Sequence, residues 1–275
     1  MIGSLLLLIC SIVSCVNIQA SPSVIDSTTT YAKQDVSSSS NKISIKRPPN
    51  GKDGDLLILF LSRTDARLPK SLNGWDIAAS CLKWTNGQDQ CFTMEKCEQQ
   101  MGGGKYCEYF AGKKTGEDLG TVVFYRPFNG SQKSYTWDLP NNKAAWAILV
   151  TVRGVNRNAP VRAYTGVSND GSIKSVFAST TGKAGDLLLL SMAFDDPAHD
   201  SRGKRLRGAF NASVVTAFEA PVTTEKVNWI NGVDEAGFVY CKVLTNDGAT
   251  GELTTKGPGG PAAKDALISL VLRGA

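Results

Sequence analysis

Gly54-Asp55-Leu56-Leu57-Ile58-Leu59 returns later in the chain as Gly185-Asp186-Leu187-Leu188-Leu189-Leu190. Working outward from that pair, Val123-Phe124-Tyr125-Arg126 returns as Val239-Tyr240-Cys241-Lys242. Ile148-Leu149-Val150-Thr151-Val152-Arg153-Gly154 returns as Ile268-Ser269-Leu270-Val271-Leu272-Arg273-Gly274. The matches keep their order, so the second half repeats the first. Each repeated segment is a short apolar run beside Gly, Asp or Arg, as buried strands between turns read. A repeated set of strands predicts an internally duplicated all-β fold.

The rest of the chain carries the same signal. Strand candidates are 43–45, 56–61, 106–110, 121–125, 135–139 and 146–152, then 173–177, 187–194, 214–218, 238–243, 253–255 and 267–272, with Gly, Pro, Asn and Asp between them. Only 94–101 offers a turn of helical period. The expected class is an antiparallel β-sandwich, jelly-roll-like. Its repeats are 42–156 and 157–275, either as separate units or as one pseudo-symmetric domain, 42–275. Residues 21–41, with Ser37 to Ser40 in a row, read as a Ser/Thr-rich disordered tether.

Residues 1–20 read as a signal peptide: 5–16 is almost unbroken apolar chain and Ala20 offers a small residue for cleavage, although no Lys or Arg precedes the run. The alternative is a lipoprotein box, Ile12-Val13-Ser14-Cys15, with a lipid anchor on Cys15. No other segment is long and apolar enough to predict a transmembrane span. The expectation is a secreted, extracellular chain. The +5 net charge is mild and, in that compartment, gives no reason to expect nucleic acid.

Of seven cysteines, Cys10 and Cys15 leave with the signal. Cys81, Cys91, Cys97 and Cys107 cluster in an interval that is longer in the first half than in the second. They read as a polar insertion, 81–107, stapled by a pair of disulfides whose connectivity stays open. No CxxC pair supports zinc. Cys241, inside an apolar run, reads as a buried free thiol.

With these features the chain resembles a β-sandwich module of secreted bacterial and phage surface proteins. The resemblance rests on GDLL, a Gly74-Trp75 turn, and Val152-Arg153-Gly154-Val155 with Ala159-Pro160-Val161 behind it. It covers about 42–275, implies a rigid scaffold for loops, and carries no catalytic residue with it. The cysteine insertion departs from its pattern.

Catalytic chemistry has little to use. His199 is the sole histidine and there is no Gly-x-Ser-x-Gly elbow. The acid pairs Glu117-Asp118 and Asp234-Glu235 read as solvated turns. Asp195, Asp196 and Asp200 could hold calcium through carboxylate oxygens, against the simpler reading of a polar loop; no other cofactor is expected. Trp75, Trp84 and Trp229 lie beside Asn and Gly and are candidates for stacking on sugar rings, whereas Trp137 and Trp146 read as core. Arg202, Lys204, Arg205 and Arg207 form a basic run that is a candidate contact for sulfated glycan or an acidic polymer, against the readings of a solvated loop or a dibasic processing site. Asn129 and Asn211 head glycosylation sequons. The leading expectation is a non-catalytic binding or adhesion protein, lectin-like, with a glycan or extracellular surface polymer as partner and self-association open. A coat, matrix or virion surface protein is the alternative, and a carbohydrate-active hydrolase the second.

Overall fold

The computed structural model describes residues 21–32, 40–63, 72–83, 90–92, 119–140, 144–170, 174–195, 225–231, 235–256 and 264–275. The first half contains β1 (Ser23–Ala32), β2 (Ser40–Lys46), β3 (Leu56–Arg63), β4 (Asp76–Lys83), β5 (Gln90–Phe92), β6 (Leu119–Pro127), β7 (Ser134–Pro140) and β8 (Ala145–Arg153). The second contains β9 (Val161–Asp170), β10 (Lys174–Phe177), β11 (Thr181–Gly182), β12 (Leu187–Asp195), β13 (Glu225–Asn231), β14 (Glu235–Val243), β15 (Gly248–Ala249), β16 (Leu253–Lys256) and β17 (Lys264–Leu272). Every pairing is antiparallel. Among the described residues no helix is long and apolar enough to cross a membrane.

Two main sheets dominate. The first runs β1-β8-β3-β6-β4-β5 and the second β9-β17-β12-β14-β13. Strand for strand the orders correspond, with β5 as an addition to the first. In both halves the pairing is nested: β1 with β8, β2 with β7 and β3 with β6, then β9 with β17, β10 with β16, β11 with β15 and β12 with β14.

The alternation of side chains divides the apolar residues into three cores. Leu56, Ile58 and Phe60 on one face of β3 join Leu187, Leu189 and Ala193 of β12 in a central cluster between the main sheets. Leu57, Leu59 and Leu61 on the other face of β3 pack under the β2–β7 ribbon, against Ile43, Ile45, Tyr135 and Leu139. Leu188, Leu190 and Met192 pack under the β10–β16 ribbon, against Phe177 and Leu253. The molecule is thus four layers deep: ribbon, sheet, sheet, ribbon. Strands β3 and β12 are covered on both faces, and this explains why their sequences are continuous rather than alternating apolar runs.

The main sheets stack with their strand orders reversed. β1 lies over β13, and β4 lies over β9. Since β1 corresponds to β9 and β4 to β13, the two contacts are equivalents of each other, as across a twofold axis.

Several sequence expectations need correction. The proposed tether 21–41 contains β1, which forms the edge of the first sheet from Ser23 to Ala32, and the start of β2. Its Thr28-Thr29-Thr30-Tyr31 run is polar, but β-branched and aromatic residues suit a pleated edge strand once a partner such as β8 is present. β4, β9 and β13 escaped the reading because their residues neither alternate cleanly nor run apolar. Each also meets a bulge in its pairing, at Ile77/Ala79, opposite Val271/Leu272, and at Lys226/Asn228. The candidates at 106–110 and 214–218, the turn at 94–101 and the signal at 1–20 lie outside the described residues.

Because the central cluster belongs to both halves, damage to one half should be felt in the other. Leu189→Ala removes a fully buried side chain of the second half and should cost about 2–5 kcal/mol. Four of the five tryptophans precede β9 in the chain, so urea unfolding followed by tryptophan fluorescence reports mainly the first half. Its midpoint should fall in this variant. An unchanged fluorescence transition would mean that the halves unfold independently.

Candidate binding cleft between the two halves

The repeated Gly-Asp pairs build matching turns. Lys52-Asp53-Gly54-Asp55 leads into β3, and Lys183-Ala184-Gly185-Asp186 leads into β12. In each, the Asp N–H donates to the Lys carbonyl at 3.0 Å. Gly54 and Gly185 sit at φ of 102° and 86°, a region that side-chain-bearing residues avoid. At Gly54 a Cβ would also collide with the Arg157 guanidinium.

Each turn aims its aspartate inward. Asp55 and Asp186 are 3% and 2% exposed. Asp55 accepts from Arg153 Nε at Oδ1 and Arg153 Nη2 at Oδ2, both 2.8 Å, and from the Lys52 N–H at 2.9 Å. Asp186 accepts from Arg162 Nε and from Arg162 Nη2 at 3.2 Å, from the Lys183 N–H at 2.8 Å and from the Gly274 N–H at 3.1 Å. Their carbonyls take the N–H groups of Phe128 (2.9 Å) and Leu244 (2.8 Å), one residue beyond β6 and β14 respectively. Burial pushes both carboxyl pKa values up, but the arginine hydrogen bonds and backbone N–H groups outweigh it, and both end below the usual aspartate range.

The halves differ in which arginine they use. Arg153 ends β8. Arg162 is the extra residue where β9 bulges against β17. Arg273, which matches Arg153 in the sequence repeat, donates instead to the Ala159 carbonyl at 3.2 Å. The repeat therefore predicts the aspartates but not their partners.

Between the first turn and the crossover that joins the halves lies a cleft of about 350 Å³. Its rim on the crossover side is Arg157, Asn158 and Pro160. Arg157 Nε donates to the Gly54 carbonyl at 3.1 Å. Asn156 Oδ1 accepts the N–H groups of Asn158 and Ala159, both at 3.1 Å, and so fixes the crossover. The opposite side is made by Asp53, by Asp76 and by Tyr125, the last two directly opposed across β4 and β6. Burial, and then the Asp76 charge, raise the Tyr125 pKa, so its hydroxyl stays protonated and can donate. Leu56, Pro127 and Phe128 supply the apolar surface. The Asp55 carboxylate is committed to Arg153, which leaves Asp53 and Asp76 as acceptors. Among the described residues no histidine, cysteine or serine lines the cleft. Among the described residues there is no group of three or more His, Cys, Asp or Glu side chains that could hold a metal.

The residues singled out from sequence are scattered. Trp75 is buried, which corrects its reading as a surface platform. It packs edge-on against Tyr135 (centroids 5.2 Å apart) and Trp137 (6.1 Å), with the Arg126 guanidinium 5.5 Å from its ring centre. The Gly74-Trp75 turn folds back over β7, and burying the indole there outweighs exposing it. Trp229 stands in β13 opposite Phe238, and Asp195 ends β12 opposite Glu235 and Lys264. Cys241 is buried in the central cluster, as expected. Cys81 and Cys91 are direct partners on β4 and β5. Asn129 is exposed on a turn, where its Oδ1 accepts from the Ser131 N–H (3.0 Å) and hydroxyl (2.8 Å). Trp84, Asp196, His199, Asp200, Arg202, Lys204, Arg205, Arg207, Asn211, Cys97 and Cys107 lie outside the described residues.

Sequence reasoning missed the cleft. Asp53, Asp76, Tyr125 and Arg157 come from four separate segments, and nothing in their local patterns joins them. In comparison with known proteins, no protein-family model matches the chain, and neither does any curated protein.

The two buried aspartates set a pH dependence. With folded pKa values below those of the unfolded chain, the stability they provide is complete above an unfolded aspartate pKa of about 3.9. It is lost as pH falls through the lower folded values. Urea midpoints should therefore be level from neutral pH down to about 5 and drop steeply below the unfolded value. Asp186→Ala, which strands Arg162 and two backbone N–H groups, should cost about 2–4 kcal/mol at pH 7 and should show a shallower acid limb. An equally steep limb in that variant would remove Asp186 from the explanation.

Proposed function

We propose that this chain is a secreted, non-catalytic binding or adhesion protein that recognises glycans, and that the cleft at the seam of the halves is its binding site. The observation that carries the reading is the mixture of groups in that cleft. Asp53 and Asp76 accept hydrogen bonds, Arg157 donates them, and Tyr125 and Asn158 do both, around an apolar patch at Leu56, Pro127 and Phe128. A sugar ring offers the complementary set: hydroxyls that donate and accept around its rim, and C–H faces that pack on apolar carbon. About 350 Å³ lies at the lower end of small-ligand pockets and fits one or two sugar units. Secretion rests on the leader pattern of residues 1–20 and agrees with the resemblance to secreted surface modules. Glycosylation at Asn129 belongs to the same proposal, since the sequon stands on an exposed turn with its Ser131 hydroxyl already hydrogen-bonded to the asparagine side chain.

A glycan array probed with the mature chain, with and without calcium, tests the reading. Selective binding should fall at least tenfold, or about 1.4 kcal/mol, in Asp76→Asn and in Tyr125→Phe. Trp75→Phe should lower stability while leaving selectivity unchanged. Wild-type binding by both cleft variants would move the site elsewhere. Self-assembly without sugar binding would favour a coat or matrix protein, and turnover of a polysaccharide panel would make the cleft carboxylates those of a hydrolase.

A further inference from the structure

We infer that Cys81 and Cys91 are bonded to each other as a disulfide across β4 and β5. The backbone register sets the two residues directly opposite one another, between the Ser80–Phe92 and Leu82–Gln90 pairs. Directly opposed residues of an antiparallel ladder have Cα atoms about 4.5 or 5.5 Å apart. Both values fall within the range of about 4.4–6.8 Å that a disulfide requires. This register chooses among connectivities that four cysteines in sequence leave open.

The place in the fold supplies a reason for the bond. β5 is three residues long and is hydrogen-bonded to β4 at the outer edge of the first main sheet. A short edge strand makes few ladder bonds, and among the described residues the second half, whose sheet ends at β13, has no counterpart to it. Both strands lie over β9 of the second half. A covalent link there fastens the added strand to the sheet at the point where the two halves meet.

The chemistry is a two-electron oxidation by a disulfide-bearing oxidant, such as a thiol–disulfide oxidase or glutathione disulfide. One cysteine thiolate attacks the oxidant's disulfide and expels one of its thiols. The second thiolate attacks the resulting mixed disulfide, forms the Cys81–Cys91 bond and expels the other thiol. The protein gives up two protons and two electrons, and the oxidant's disulfide becomes a dithiol. The inference shares the oxidising compartment with the proposed function and nothing else: a failed glycan array leaves it standing.

Tryptic mapping of the full secreted chain decides the matter. Cleavage after Lys70, Lys83, Lys96, Lys105 and Lys113 puts each of the four clustered cysteines on its own peptide. With thiols alkylated at harvest and no reductant added, peptide 71–83 should be joined to peptide 84–96. The species should vanish on reduction and be missing from Cys91→Ser. A link from peptide 71–83 to the Cys97 or Cys107 peptide would overturn the inference, as would alkylated Cys81 in the folded wild-type chain.

Discussion

A carboxylate buried at the foot of a central strand must be fully paired, or the strand cannot start where it does. Asp55 and Asp186 stand at this point in the two halves, each immediately ahead of a strand covered on both faces. Each gathers an arginine, the N–H of the lysine that opens its own turn, and the start of the connection beyond β6 or β14. An unpaired charge in such a position costs several kcal/mol, so the demand propagates. It fixes the register of β3 and β12, the left-handed glycine before each aspartate, and the arginine that ends β8 or bulges from β9. The cleft inherits its shape from the same fastening, because its first wall is the Asp55 turn and its second is held to that turn by Arg157.

The reversed stacking of the sheets explains why a cleft forms at that seam. A twofold-like arrangement gives each turn a facing segment from the other half: residues 157–160 for the first turn, and Ser21 for the second. The two seams are not equal. Around the second turn a smaller space, about 240 Å³, is bordered by Lys183, Arg162 and the C-terminal Ala275. The first seam has Asp53 where the second has Ala184, and it has the crossover residues 157–160 where the second has Ser21 and Ala275. Symmetry of the scaffold therefore yields one acidic, tyrosine-bearing cleft and one smaller recess without the added acids.

The aromatic residues follow packing. Tyr135 and Trp137 stack with their rings 10° from parallel, Trp75 closes on both, and Arg126 lies over Trp75 and Tyr135. The cluster seals the edge of the core beneath the β2–β7 ribbon, and the cation over the rings contributes to the seal. Asn and Gly beside Trp75 marked a turn correctly. The turn happens to tuck the indole under the chain.

The sequence by itself determined the strands that a period or a run can reveal. Leu56 to Leu61 and Leu187 to Leu190 are apolar without interruption because both of their faces are covered, and the aspartate ahead of each marks the turn. It also determined the burial of Cys241 and Trp146, which lie within such runs. Local pattern could not reveal β1, whose threonines become a strand only against β8, or β4, whose small residues are interrupted by a bulge. The choice of Arg162 over Arg273 at the second aspartate, the burial of Trp75, the register that sets position 81 opposite position 91 and the meeting of Asp76, Tyr125 and Arg157 were decided by tertiary structure alone. Each depends on which segments lie side by side, and that follows from sheet order and stacking, which no short stretch of chain encodes.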